Sequence, residues 1–241
     1  LEAIGHLTQG IAVLKTLPET RERTQQELDL QMTLALALTA IKGHAAQEME
    51  EAYARAYVLC QQLGNPPQIF PVLFGLWRFY NVRAAFKTSD ELAHQCLSLA
   101  QQQQDPAHLP VAHYVVGHTL FWQGEFTSAR AHLMQALTLD DPAPHRSLTV
   151  RYLASPRVQS LFFMAWTLWM LGYPDQALQR NHEALTMAYE LAQPFSLAFA
   201  LCFAVCVLQA CRDVQAVQER AEAAIALTKE QAFSHWFAHA T

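Results

Sequence analysis

Glycine, charged residues and basic clusters are all scarce in this sequence. Only 8 of its 241 residues are Gly, and 15% are charged against 52% that are hydrophobic. A chain this apolar is not disordered and has ample material for a core. The 16 Lys and Arg residues are scattered, and the net charge is −5. Because no basic stretch is dense enough to follow a phosphate backbone, the sequence argues against nucleic acid as a direct partner.

Strand patterns, a disulfide framework and a membrane-spanning run are also missing. No stretch alternates Val, Ile and Thr as a strand would. The 5 Cys are odd in number and several lie in apolar stretches, so we expect buried, reduced thiols in a cytoplasmic protein. The most apolar run, 195–211, is at the short limit for a membrane span and contains Ser196 and Gln209. We interpret this run as a buried helix and expect no membrane partner.

The motifs that carry common chemistry are absent as well. No Gly-rich stretch precedes Lys-Ser or Lys-Thr, so we expect no ATP-binding P-loop, and there is no Gly-x-Ser-x-Gly elbow. His235 and His239 share a helical spacing, as do Cys202 and Cys206, but neither pair has a third ligand at a recognisable distance along the chain. We therefore predict that this chain is not an enzyme and holds no metal or cofactor.

Helical stretches and short breakers alternate along the chain. The breakers are Pro18, Gly43, Gly64 to Pro67, Asp105-Pro106, Gly124, Gly172 to Pro174 and Gln193-Pro194. Gly after one helix and Pro at the start of the next are stop and start signals, and connections this short imply antiparallel neighbours. The pattern predicts one repeat domain over 1–241, with helix pairs near 20–63, 67–104, 106–139, 157–192 and 195–231 and an insertion at 140–156. Truncated helices at both ends indicate an excerpt of a longer polypeptide.

Small residues recur at matching positions of successive pairs. They include Gly117, Ala129 and Ala136 in one pair and Ala165, Ala177 and Ala184 in the next. Two helices of a hairpin touch where side chains are small, and because a hairpin cannot bury both of its faces alone, it stacks on its neighbours. We therefore predict an all-α fold, a right-handed superhelix (α-solenoid) of antiparallel helix pairs.

The hairpin around Gly124 resembles the tetratricopeptide (TPR) signature. The matching residues are Gly117, Gly124, Phe126, Ala129, Ala136 and Leu137. Successive pairs are spaced by about 40 residues, which exceeds the usual TPR period of about 34 and predicts longer helices or wider connections.

Three segments, 75–107, 120–147 and 166–201, resemble the C-terminal repeat region of large bacterial signalling proteins. In that family an effector domain, often an adenylate or guanylate cyclase, precedes a predicted AAA-type ATPase domain, and helical repeats follow the ATPase. The resemblance implies a regulatory, partner-sensing role for this chain, with nucleotide chemistry in domains outside it.

The first helix of each pair is expected to line the inner, concave face of the solenoid, where many repeat proteins bind. The repeat register places there Phe74, Arg78, Asn81, Tyr114, His118, Trp122, Phe162 and Trp166 and, in the last pair, Cys202, Cys206 and Gln209. Aromatic residues and Arg anchor protein interfaces, so the first set is a candidate partner-binding groove. The polar members of that set favour binding because their polar ends need partners. An aromatic stripe at helical spacing is also typical of a packed core, and both alternatives stay open.

The insertion at 140–156 is a second candidate site. It contains His145, Arg146, Arg151 and Tyr152, and insertions between repeats often lie at a functional edge. Its basic residues suit an acidic peptide or a phosphate. The alternative is a longer loop that closes one end of the groove.

The predicted function is that of a protein–protein interaction and regulatory module. It would bind a protein or peptide, or its own catalytic domains, in the concave groove of a multidomain bacterial signalling ATPase or cyclase. The alternative is a small-molecule sensor domain with an aromatic-lined cavity.

Overall fold

The computed structural model describes residues 2–104, 106–140, 152, 154–231 and 233–240, and within those ranges every regular element is a helix. The residues form two compact units, which we call unit 1 (up to residue 99) and unit 2 (from residue 100) and describe separately. The prediction of a single domain over 1–241 stays a prediction.

Unit 1 contains the first helices of the chain. They are α1 (Glu2–Leu14), α2 (Arg21–Lys42), α3 (Gln47–Gln62), α4 (Ile69–Val82) and α5 (Phe86–Gln103), the last of which ends beyond the unit boundary. Helix α1 packs on α2, α2 on α3, and α3 on α4. Each of these three contacts joins a helix to the one that follows it, as expected when short connections join antiparallel neighbours.

Unit 2 contains the remaining described helices. They are α6 (His108–Trp122), α7 (Phe126–Leu139), α8 (Pro156–Met170), α9 (Pro174–Leu191), α10 (Pro194–Ala210), α11 (Val214–Glu230) and α12 (Ser234–Ala240). Within it α6 pairs with α7, α8 with α9, and α10 with α11, while the second helix of each pair packs on the first helix of the next. The first helices α6, α8, α10 and α12 also contact one another in sequence. The predicted all-α solenoid of helix pairs is confirmed.

Two glycines let neighbouring helices approach closely. A Cβ atom at Gly117 of α6 would lie 2.8 Å from Cγ of Leu133 on α7, which is too close for any larger residue without a shift. At Gly75 of α4, a Cβ atom would overlap the ring of Tyr53 on α3. Gly117 is one of the TPR-like positions of the sequence, and the close approach of α7 explains why a residue without a side chain stands there.

Side-chain caps explain where several helices begin. Thr20 Oγ1 accepts a hydrogen bond from the Arg23 N–H at 3.1 Å at the start of α2. Before α11, an Asp213 carboxylate oxygen accepts from the Ala216 N–H, also at 3.1 Å. Both caps satisfy a backbone donor that has no partner within its helix.

The apolar run 195–211 corresponds to α10, which contacts α8, α9, α11 and α12. Ser196, which interrupts the run, is buried, and its Oγ accepts a hydrogen bond from the Ser155 N–H at 2.8 Å. Its polar group is therefore satisfied inside unit 2. Among the helices of the described residues, none combines the length and the apolar character needed to cross a bilayer.

Candidate functional site

A row of partly exposed rings follows the first helices of unit 2. We call it the aromatic ridge; it consists of Trp122 on α6, Trp166 on α8, Phe203 on α10 and His239 on α12. Trp122 is 43% exposed, Trp166 and Phe203 are half-buried, and His239 is exposed. Large aromatic side chains that stay accessible on a folded chain mark an interaction surface more often than scattered aliphatic residues do.

The rings of the ridge are in contact through short steps. Trp122 and Trp166 meet edge to face, with ring centroids 5.5 Å apart and an interplanar angle of 84°. Phe162 links the next members, because its centroid lies 5.6 Å from Trp166 and 4.7 Å from Phe203. Phe203 and His239 are 6.2 Å apart. Edge-to-face and tilted contacts at these distances are the geometry that aromatic pairs prefer, so the ridge is pre-organised.

A floor of buried rings supports the ridge. Phe162 and Phe163 of α8 are almost fully buried, and their centroids are 5.2 Å apart. The His118 ring of α6 lies 3.9 Å from Phe163 between centroids, and Tyr114 lies 6.1 Å from it. These contacts fix the rotamers of the accessible rings from below.

Solved structures with the same architecture are known, whereas no protein-family model and no curated protein matches the chain. The apo form of RapI aligns with a TM-score of 0.63 at 12% identity, covering 98% of this chain and 88% of that one. A Podosopora anserina putative kinesin light chain with nearly identical TPR-like repeats aligns with a TM-score of 0.54 at 16% identity, covering 90% and 100%. A Rap protein complexed with Competence and Sporulation Factor aligns with a TM-score of 0.56 at 15% identity, covering 91% and 69%.

This chain has a TPR-like repeat fold. Identities this low show the architecture alone, and the ATPase or cyclase context that the sequence resemblance implies is not part of the likeness. The TPR-like first helices of unit 2 are the ones that carry the aromatic ridge.

The structure brings five of the predicted groove residues together in unit 2. They are Tyr114, His118, Trp122, Phe162 and Trp166, which are connected by ring contacts. Only some of them reach the surface. Tyr114 is buried, and its hydroxyl donates to Gln159 Oε1 at 2.9 Å, while Gln159 Nε2 donates to the carbonyl oxygen of Ala154 at 3.2 Å. The polar end of Tyr114, which favoured binding in the sequence, is therefore satisfied inside the TPR-like stack.

The other predicted groove residues lie on α4 in unit 1. Phe74, Arg78 and Asn81 are all buried. The Arg78 guanidinium lies over the Trp77 ring, 4.6 Å from its centroid, and 5.5 Å from the Phe74 centroid. Such stacking is an established way to hold a buried cation. The burial favours the packed-core alternative for these residues, and their role in a groove stays a prediction.

The predicted insertion is described only at its two sides. His145, Arg146 and Arg151 lie outside the described residues, whereas Tyr152 is buried. Arg157 at the start of α8 donates to Asp140 Oδ2 at 3.1 Å and to the Leu137 carbonyl oxygen at 3.2 Å. This ion pair joins the end of α7 to the start of α8.

The sequence register missed part of the site in the last helix pair. It selected Cys202 and Cys206, yet the neighbouring residue Phe203 contributes to the ridge. Cys202 is buried, and burial raises the pKa of its thiol to about 12. Burial of this kind keeps the thiol largely protonated at neutral pH, which disfavours a nucleophilic role. Within the described ranges, no three His, Cys, Asp or Glu side chains are grouped to hold a metal ion.

A separate polar cleft lies between α2 and α3 in unit 1, with a volume of about 330 Å³. Its lining includes Glu27, which is 1% exposed, and Arg55. The two form a bidentate ion pair, with Nε–Oε1 at 2.7 Å and Nη2–Oε2 at 2.9 Å. Hydrogen bonds from the Arg55 guanidinium lower the pKa of the Glu27 carboxyl, despite the opposing effect of burial. The sequence analysis missed this pair because the two residues lie on different helices, and helical periodicity predicts contacts only within one helix.

Proposed function

We propose that this chain is a regulatory protein-interaction module that binds an extended peptide segment of its partner along the aromatic ridge of unit 2. The observation that carries the proposal is the exposure of Trp122, 43%, in edge-to-face contact with Trp166. Truncation of a Trp at the centre of an interface commonly costs about 2 kcal/mol or more, which makes these rings natural anchors.

Rigidity of the ridge supports the proposal. A binding surface whose side chains are already fixed loses little conformational entropy when a partner arrives. The buried rings of Phe162 and Phe163 hold the ridge in place, and Tyr114 is anchored to Gln159. In this proposal Trp122 and Trp166 contact the partner, while Tyr114 and the Phe162 ring position them.

One of the matched TPR-like structures also supports a protein or peptide ligand. It is the Rap protein that is complexed with Competence and Sporulation Factor. By analogy of fold, this chain presents a comparable arrangement of helix pairs to a ligand. We assign the catalytic chemistry of the parent polypeptide to other domains and take this chain to be non-enzymatic.

The proposed setting is a cytoplasmic bacterial signalling protein. Segments 75–107, 120–147 and 166–201 resemble the repeats that follow the ATPase domain in such proteins. The partner is then a separate protein or a segment of the neighbouring ATPase or cyclase domains. In either case binding at the ridge couples partner recognition to enzyme activity elsewhere in the polypeptide.

Selection from a peptide library displayed on phage, followed by affinity measurement with the selected peptide, tests this function. We expect Trp122→Ala to weaken binding at least tenfold, about 1.4 kcal/mol or more, because it removes the most accessible anchor. The matched control is Tyr189→Ala on α9, a ring that is 49% exposed but outside the ridge. We expect that control to bind within twofold of the wild type, and both variants to show a cooperative thermal unfolding transition that demonstrates a folded chain.

Equal binding by wild type and Trp122→Ala would contradict the ridge as the docking surface. If no peptide is enriched, while apolar small molecules change the tryptophan emission of the wild type, the sensor alternative is favoured over peptide binding.

A further inference from the structure

Two imidazoles face each other across the first helix pair of unit 2. His113 on α6 and His132 on α7 are both half-buried, and their Nδ1 atoms are 3.1 Å apart. The ring centroids are 5.2 Å apart, with an interplanar angle of 39°. At this distance one Nδ1 carries a proton and donates it to the lone pair of the other, so at least one ring is neutral.

The same spacing suits a metal chelate. A tetrahedral ion with metal–nitrogen distances of about 2.05 Å holds two ligand nitrogens about 3.3 Å apart. The observed separation of 3.1 Å differs from that by a few tenths of an ångström, within the reach of a small ring rotation. The two nitrogens are already within hydrogen-bond distance across two helices, so rotation of the two rings about their side-chain bonds can turn both lone pairs toward one ion.

We propose that His113 and His132 bind one divalent transition-metal ion of the Ni²⁺, Cu²⁺ or Zn²⁺ class through their two Nδ1 atoms. Imidazole nitrogen is a preferred ligand for these ions. Water completes the coordination, because the described residues supply no third His, Cys, Asp or Glu ligand at this place. A site with two protein ligands is open and modest in affinity, and we expect dissociation constants of about 10–100 μM.

Besides the ring rotation, binding requires a change of tautomer. In the metal-free pair, one Nδ1 bears the shared proton; when the ion binds, that proton moves through solvent to Nε2 of the same ring. Both rings are then neutral, with their Nε2 atoms protonated and both Nδ1 lone pairs on the metal. When both rings are neutral before binding, no net proton is gained or lost; a donor ring that starts as an imidazolium releases its Nδ1 proton to solvent.

The ion would clamp α6 to α7. These helices already approach closely at Gly117 and Leu133, four positions along α6 and one along α7 from the two histidines. Helix α6 also carries Trp122, so the clamp stiffens the helix pair at one end of the aromatic ridge. The site does not depend on the proposed peptide-binding function.

Calorimetric titration of the whole chain with NiCl₂ and with ZnCl₂, paired with thermal melts, tests the site. We expect one equivalent of binding with a dissociation constant of about 10–100 μM and a rise in melting temperature of about 3–5 °C at about 1 mM metal. His132→Gln should abolish that equivalent and the rise. Two controls should keep both: His182→Gln, an exposed imidazole on α9, and His235→Gln, which removes one member of the other closely spaced histidine pair.

A second measurement covers the case in which His132→Gln fails to fold. Nitrogen spectra of the histidine rings in the wild type should show the Nδ1 signals of His113 and His132 shifting together as ZnCl₂ is added. Unshifted signals for this pair, no binding at about 1 mM metal, or binding that survives His132→Gln would each overturn the proposal.

Discussion

Unit 1 and unit 2 use the same helix-pair architecture but different chemistry to hold it. In unit 1, the Glu27–Arg55 ion pair joins α2 to α3, and Arg78 stacks on the rings of its own helix. In unit 2, successive first helices are joined by aromatic contacts from Trp122 to Phe203. The repeat fold therefore determines which positions of neighbouring helices are in contact. The kind of interaction at those positions, ionic or aromatic, depends on the residues of each repeat. This is the expected behaviour of a stack in which each pair contacts mainly its neighbours.

The largest loss of stability should come from removing a buried ring from the aromatic contacts of unit 2. Phe162→Ala removes a buried ring that contacts Phe163, Trp166 and Phe203. We expect a loss of about 3–5 kcal/mol in the free energy of unfolding, measured by chemical denaturation, because the cavity adds to the lost burial. Tyr189→Ala on the exposed face of α9 is the control and should change stability by about 0.5 kcal/mol or less. A small change for Phe162→Ala would mean that the ring is not part of the core.

Breaking the ion pair of unit 1 should have the next largest effect. Arg55→Met leaves the Glu27 carboxylate buried without its partner, and removal of one member of a fully buried pair costs about 3–5 kcal/mol. Because the Arg55 side chain is 40% exposed, water partly replaces it, and we expect a loss of about 1–2 kcal/mol. The double variant Glu27→Leu/Arg55→Met should recover most of that loss, since no unpaired charge remains. A double variant no more stable than Arg55→Met would exclude the ion pair as the cause.

The ion pair of unit 1 should also make the stability of the chain depend on pH. Arg55 lowers the pKa of the Glu27 carboxyl below its ordinary value of 4.5 in the folded chain. The ionised form therefore stabilises the fold above about pH 4.5, and this contribution is lost as the pH falls through the lowered pKa. We expect the stability difference between wild type and Glu27→Gln to shrink as the pH falls below 4.5, measured by urea denaturation. A difference that is constant with pH would rule out the charge as its source.

The smallest change in stability is expected from the loss of a cation–π contact on the surface of unit 2. The Arg130 guanidinium of α7 lies 5.5 Å from the ring centroid of Tyr173, just before α9. An exposed cation–π contact contributes about 0.5–1 kcal/mol, so Arg130→Ala should lower the melting temperature by about 1–3 °C. Arg130→Lys should retain part of the contact. A melting temperature unchanged in Arg130→Ala would show that solvent screens the contact completely.

Much of the fold follows from local signals in the sequence. Gly and Pro stop and start helices whatever lies around them, and the recurring small residues such as Ala129 and Ala177 are fully buried as their spacing predicted. The site was less accessible to such reasoning. Helical periodicity places a residue on a face only to within one position, which is why Cys202 was selected and Phe203 was missed.

Contacts between helices are the part that the sequence alone does not reveal. The hydroxyl of Tyr114 finds its acceptor on Gln159, far along the chain, so its burial could not be predicted from α6 alone. The contact between His113 and His132 likewise depends on how α6 and α7 are aligned along each other, which the sequence does not show. Polar residues in apolar helices thus identify a need for a partner but not the partner itself.

The perpendicular contact between Trp122 and Trp166 also gives the molecule an optical signature. Two indoles 5.5 Å apart, with ring planes at 84°, share their electronic excitation when light is absorbed. Such coupling produces paired bands of opposite sign in circular dichroism, beside the strong helical signal. Because the ridge is pre-organised, those bands should persist when a partner binds, and their loss would show that the two rings have separated.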